Sequence, residues 1–585
     1  MMTAENRKNK VVHMMVASLW WLTCALLTAD SGFFLYPSLS QTLLGEACAL
    51  VMCAVIMVCG IMNGGKWPAN IGVVLVFSWG VYIALHSLFI ESAEHYRMYY
   101  MVASLLLLLS LTFALHNDYL TIRGVENGLL LMVVLQISCM VLQLVGIRET
   151  GNPFFKCTGF GPNPNSACVL FAALMPVMMK RMSSSNCQYA WLLVLLVSIL
   201  FVLSLGCRTA FIGIIVMAFV RMLCGVKIQD WLRINSLRKY ICTIVICLCA
   251  AMVLIFLYRY KKDSADGRLL VWKVSAAMIV KKPCGWGVGM FERCYNLCQG
   301  EYFEKYYGTE SERNLAGYVR MAYNDYLEHG VETGFVGALF LSLFYVLTIM
   351  SFLQKRDKIG LSVASAFSVM SMVNFICSAI QPWHVLVAYG AFAFQGRKRS
   401  ACNVASLILS VVIVLLCCVM LSKYYNLISS QVEMCRLKMH SDANVKDHVG
   451  EVEKLENRID TSGEYYMFLA EEYERDSDYK NAIASLEKAA RYTSDPRLFF
   501  EMFNCYDKLG DASNGIDYVL TISNMIPQNM TSRNVLLRWY DSQGEYDKAV
   551  KVATDMVETK LKIRNAVSLR YQEGTRYYIN HINRK

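Results

Sequence analysis

Gly267-Arg268, Trp272-Lys273, Pro283-Cys284-Gly285-Trp286-Gly287-Val288-Gly289-Met290-Phe291, Ala322-Tyr323-Asn324-Asp325-Tyr326-Leu327 and Val331-Glu332-Thr333-Gly334-Phe335-Val336-Gly337 punctuate one long polar interval in an otherwise apolar sequence. The interval runs from Arg268 to Gly337. On either side lie apolar runs of about 20 residues, the length that crosses a bilayer as a helix. A polar loop of this length between spans is kept only where it is folded and used.

Working outward, apolar runs fall near 11–30, 44–62, 70–90, 99–116, 127–146, 164–180, 189–206, 209–225 and 240–258, then 330–352, 359–379, a short 382–396, and 402–422. This predicts an all-α, polytopic membrane protein of about 12–13 transmembrane helices. Residues 1–258 carry the first nine helices, 259–329 the loop, 330–424 the remaining helices and 425–585 a tail. A soluble chain carries about 25% charged residues; this one has 17% and is 56% hydrophobic. Lipid must solvate most of it. The net charge of +11 does not signify nucleic acid, because the positives cluster in short segments between spans.

Those clusters orient the chain. Arg7/Lys8/Lys10, Lys66, Arg123, Lys180/Arg181, the series Arg221 to Lys239, Lys355/Arg356/Lys358 and Arg397–Arg399 all fall on one side, which the positive-inside rule makes cytoplasmic. The N-terminal run lacks a clear cleavage site and reads as a retained first span. Asn163-Pro164-Asn165, Arg208 and the Arg268–Gly337 loop then share the extracytoplasmic face. Most of the 22 cysteines lie in apolar spans as small hydrophobes. Cys284, Cys294 and Cys298 lie in the loop, either as a disulfide with one thiol over or as three free thiols.

The tail is charged and helical in pattern. Gly510 and Gly544 stand 34 residues apart, the tetratricopeptide period. Tyr506, Tyr540, Tyr546, Ala549 and Ala553 fit that repeat, and Ala470, Tyr473, Tyr479, Ala482 and Ala489 fit one repeat earlier, with Ser477 in the place of a glycine. Such repeats bind protein partners. If the 382–396 run spans, the tail faces outward with the loop; if it does not, the tail is cytoplasmic.

An arginine at the mouth of a span, such as Arg208, is costly and either functional or an interface anchor. Arg268 and Lys273, with Trp272, begin an amphipathic helix at the membrane surface. Guanidinium groups suit a pyrophosphate, since they bind phosphate oxygens bidentately and stay charged. No Walker loop, nucleotide fingerprint or metal-spaced histidine accompanies them, so neither cofactor nor metal is expected.

The ordered set Asn163-Pro164-Asn165, Ser204-x-x-x-Arg208, Gly267-Arg268-x-x-x-Trp272, Pro283-x-Gly285-x-Gly287, Ala322-x-Asn324-x-x-Leu327 and Glu332-x-Gly334-x-x-Gly337 resembles the O-antigen ligase and polymerase superfamily over about residues 1–400. The resemblance implies a GT-C-like fold in a bacterial inner membrane, with the loop and the repeats periplasmic. It implies transfer of glycan from a polyprenyl-diphosphate carrier to a glycan, lipid or protein acceptor, with inversion and without metal. Arg208, Arg268 and Lys273 would bind the diphosphate, and the Tyr323-Asn324-Asp325 motif would hold the catalytic centre. One departure matters: the family has histidine, its presumed base, where this chain has Tyr323. Tyrosine, with an ordinary pKa near 10, is a poor base at neutral pH. Asp325, Glu328, His329 and Glu332 are the substitutes within two turns, with His384 beyond. The rival reading is a catalytically silent membrane scaffold that binds partners through its repeats.

Overall fold

The structure, a computed structural model, describes residues 4–93, 95–184, 186–225, 258–259, 262–306, 308–396, 403–439, 445–456, 458–459, 462–559 and 566–582. Among these residues the fold is all-α. Among the described residues, eight helices are long and apolar enough to cross a membrane: Ser38–Asn63, Ile71–Phe89, Tyr96–His116, Ile122–Leu144, Pro164–Ser184, Gln188–Leu205, Asp325–Lys355 and Asn403–Met439. Ala4–Leu26, Arg208–Gly225, Lys358–Ser371 and Ile380–Phe394 fill other predicted spans. The predicted span 240–258, except Tyr258, and the basic clusters 227–239 and Arg397–Arg399 lie outside the described residues.

The departures from expectation have physical causes. Ile380–Phe394 is only 15 residues long, and from Gln381 to Phe394 every residue is buried. It is apolar all round because it is a core helix of the bundle. The predicted span 359–379 is helical only to Ser371. The predicted boundary at 425 falls inside the unbroken Asn403–Met439 helix. Among the described residues, two buried acids outside the Asp325–Lys355 helix lie within the bundle, each beside a basic partner, as buried charge requires. Glu126 meets Arg181 Nη2 at 3.0 Å and Lys180 Nζ at 2.9 Å. Glu46 meets His384 Nε2 at 3.0 Å and accepts from Ser104 Oγ at 2.9 Å.

One break in a span explains the spacing of two motifs. The Asp325–Lys355 helix is interrupted at Gly334, whose φ of 71° and ψ of −175° only glycine adopts readily. Breaking a helix strands backbone groups that must find partners. Val331 O accepts from Trp286 N at 2.8 Å, Glu332 O from Gly287 N at 2.9 Å, and Thr333 O from the Tyr82 hydroxyl at 2.6 Å. Phe335 N donates to Pro283 O at 3.0 Å. The Pro283–Gly289 loop therefore splices into the kink, and a Cβ on Gly285 would stand 2.5 Å from Glu332 O.

The tail packs as helix pairs. Gly463–Arg475 with Tyr479–Ala489, Pro496–Lys508 with Ala512–Met525, and Met530–Ser542 with Tyr546–Glu558 begin at intervals of 33 and 34 residues (463, 496, 530). Each inter-helix turn contains a left-handed residue: Ser477 at φ 61°, Gly510 at 76° and Gly544 at 75°. Helix Phe291–Tyr306 of the loop docks against these pairs. Gln299 Nε2 donates to Met525 O at 2.7 Å, Arg293 Nε to Ala490 O at 2.9 Å, and Ser494 Oγ to Glu292 Oε1 at 2.7 Å. Loop and tail share one end of the bundle.

Candidate functional site

The loop helix Lys262–Lys281 and the start of the Asp325–Lys355 helix meet at the Ala322-Tyr323 peptide. Trp272 Nε1 donates to Ala322 O at 3.1 Å. Arg268, one turn earlier on the same helix, places its guanidinium 4.9 Å from the centre of the Tyr323 ring, and its Nη1 donates to Val373 O at 2.7 Å. Arg208 opens its own helix nearby, with Nη2 donating to Ser264 Oγ at 2.8 Å. The two arginines line one cavity of about 220 Å³. Arg268, Tyr323, Asn163 and Asn165 line a second, of about 770 Å³. Burial, and then the like charge of Arg208, hold the Arg268 guanidinium below its ordinary pKa. It stays charged even so.

Tyr323 adopts φ 52°, a left-handed conformation that costs a residue with a Cβ about 1–2 kcal/mol. Asn324 then starts the helix, its side chain accepting from Leu327 N at 3.1 Å. The Asn324-x-x-Leu327 spacing is that of a helix N-cap, so Asn324, expected at the catalytic centre, shapes the turn. Asp325 is likewise structural. Its two oxygens accept from Ile376 N at 2.9 Å and Cys377 N at 3.2 Å, pinning the irregular segment after Ser371.

Glu328, His329 and Glu332 face the other way. Glu328 accepts from Ala322 N at 2.9 Å and from the Ser378 hydroxyl at 3.0 Å. Glu332 lies 3.9 Å from Arg97 Nη1. His329 Nδ1 is 2.9 Å from Asp325 O. A carbonyl only accepts, so Nδ1 carries the hydrogen and Nε2 the lone pair. Nε2 is buried with no hydrogen-bond partner, and His329, Glu328, Glu332 and Arg97 line a separate cavity of about 270 Å³.

The predicted residues thus divide across one turn. Arg208, Arg268 and Tyr323 lie on one side, Glu328, His329 and Glu332 on the other, with Asn324 and Asp325 in the wall between. Lys273 joins neither group: its Nζ donates to Glu312 Oε1 at 2.8 Å and to the Tyr302 hydroxyl at 2.7 Å. These bonds raise its pKa, that of Glu312 foremost. His384 is fully buried against Glu46. Cys284, Cys294 and Cys298 are free thiols. Arg97 escaped the sequence reading, although an arginine on the face where positive charge is scarce is a signal in itself.

Residues 192–342 match the family model described as O-antigen ligase. No curated protein matches the chain. The matched stretch contains Arg208, Arg268, the Pro283–Gly289 splice, the Tyr323 turn and the kinked helix through Gly334. Over that stretch, about a quarter of its length, this multi-pass membrane protein is similar to the O-antigen ligase family.

Proposed function

We propose that the protein transfers glycan from a polyprenyl-diphosphate carrier to an acceptor hydroxyl, with the diphosphate bound beside Arg208 and Arg268. The observation that carries this is the convergence of both guanidinium groups on the cavities beside Tyr323. Two charged forks side by side repel one another and are matched by a multiply charged anion. Lys273 is left out of the donor site because Glu312 and Tyr302 already engage it. Tyr323 occupies the place of the family's histidine, and His329 Nε2, on the helix that follows it, is a buried lone pair without a hydrogen-bond partner. In this reading the acceptor O–H gives its proton to His329 Nε2, and the oxygen attacks the anomeric carbon. The bond from that carbon to the phosphate oxygen breaks, polyprenyl diphosphate leaves, and the configuration inverts. The loop and the paired helices, which we read as tetratricopeptide repeats, face the periplasm of a bacterial inner membrane.

The test is transfer by purified protein in proteoliposomes supplied with lipid-linked oligosaccharide. Arg268→Ala is expected to lose about ten- to a hundredfold of its rate, the loss of one charge-assisted pair. Arg268→Lys also falls, because an ammonium cannot form the fork. Full activity in both folded variants refutes the donor site. The scaffold reading retains one specific support, the substitution of Tyr323 at the family's histidine position. It takes over if the wild type transfers from no lipid-linked donor.

A further inference from the structure

The cavity lined by His329 is built by the bundle and the tail together. Glu328, His329 and Glu332 form one wall; Gln431, on the long Asn403–Met439 helix, and Glu464, on the first paired helix of the tail, form another. The Tyr36 hydroxyl donates to the Glu464 carboxylate and ties the tail to the bundle at the rim. His329 is 7% exposed and Glu332 8% exposed, yet His329 Nε2 and Glu332 Oε1 have no hydrogen-bond partner. Buried polar atoms are normally matched; Glu332 Oε1 faces Arg97 Nη1 at 3.9 Å, which leaves His329 Nε2 as the unmatched acceptor beside the cavity and points to a ligand that donates. Three carboxylates against Arg97 make the cavity a poor host for phosphate or any other anion. Aromatic side chains, Trp383 among them, also line it and suit the C–H face of a sugar. A neutral molecule rich in hydroxyl groups fits all of these features.

We propose that this cavity is the subsite for the terminal neutral sugar of a glycan acceptor, and that the tail, through Glu464, takes part in selecting it. The proposal rests on the transfer reading above and names its acceptor.

The direct experiment is photolabelling of the full-length protein in nanodiscs. Two diazirine-bearing trisaccharides serve as probes, one ending in a neutral hexose and one in a uronic acid, with labelled peptides mapped by mass spectrometry. The neutral probe is expected to label the peptides around Gln431 and Glu464, and the uronate at least about tenfold less, the effect of roughly one lost interaction. The double variant Gln431→Ala/Glu464→Gln should reduce neutral labelling by a similar factor while its melting temperature holds. Labelling elsewhere only, equal labelling by both probes, or labelling unchanged in the variant overturns the subsite. In transfer assays the same variant should raise the acceptor KM about tenfold and leave the donor KM alone. A shift in donor KM alone overturns the subsite but leaves the transfer reading intact. Absence of transfer by the wild type sinks the transfer reading, and the labelling still decides the cavity.

Discussion

Two cavities flank the Ala322–His329 turn, and they are lined by different chemistry, arginine on one side and mainly carboxyl groups on the other. One is lined by Arg268 with Asn163, Asn165 and Tyr323, and Arg208 stands next to it. The other is lined by Glu328, Glu332 and Glu464 with Arg97. A glycosyl donor on a diphosphate and an acceptor offering a hydroxyl need this same opposition, because one ligand is a polyanion and the other a hydrogen-bond donor. The turn that separates them is held by backbone bonds from Trp272, Glu328, Asn324 and Asp325. Substitutions can therefore strike one side without unmaking the other.

The largest expected effect lies on the acidic side. His329→Ala should slow transfer by about a hundred- to ten-thousandfold, the usual contribution of a general base, while Tyr323→Phe retains most of the rate. The reverse result, measured on folded protein, would move the base across the turn to Tyr323. Next comes the basic side, where Arg208→Ala should raise the donor KM about ten- to a hundredfold with the acceptor KM unchanged. Equal shifts in both constants would show that donor and acceptor binding are not divided between the two cavities.

The wall itself can be loosened. At Gly334 a Cβ would stand 2.4 Å from Pro283 O at a φ of 71°. Gly334→Ala should cost on the order of 1–3 kcal/mol and lower the melting temperature in detergent. It should impair both half-sites together, unlike the substitutions above.

Lys273 supplies a control outside both cavities. Glu312 is held at about 2, despite burial that by itself raises it, by Lys273, the Thr309 amide and Tyr302. Its folded pKa lies below the ordinary value of about 4.3, so its stabilisation is present above that value and lost as pH falls toward 2. Glu312→Gln should flatten the melting temperature between pH 5 and pH 2 by an amount equivalent to less than about 1 kcal/mol. Lys273→Ala should leave the donor KM unchanged; an increase would return Lys273 to the donor site. The smallest effect belongs to the tail: Ser477→Gly relieves a left-handed residue and should stabilise the protein by at most about 1 kcal/mol, seen as a slightly higher midpoint in urea.

Much of this was legible in the sequence and some was not, for identifiable reasons. Apolar runs of spanning length and the 34-residue recurrence depend on periodicity, which survives without coordinates. The left-handed turns at Gly510 and Gly544 were marked by glycine, and the equivalent turn at Ser477 was found only through its place in the repeat. Asn324 was read for chemistry although its spacing to Leu327 is equally that of a cap, and only geometry separates the two uses. The splice of Pro283–Gly289 into the kink at Gly334 joins segments about 50 residues apart, and no local pattern announces a break inside an apolar helix. Arg97, Gln431 and Glu464 meet near His329 by tertiary packing alone.

The Asn403–Met439 helix has one further consequence. Its 37 residues make a rod of about 55 Å, nearly twice the roughly 30 Å hydrocarbon thickness of a bilayer. Such a rod is both ruler and axle. Each residue added beyond the membrane lifts what it carries by about 1.5 Å and turns it by about 100°. One inserted residue would swing the repeats away from the loop, whereas seven would return them nearly to their original azimuth but about 10 Å higher. The length of this segment is thus a phase setting, and chains that differ there by one residue would present different faces of the same repeats to the loop.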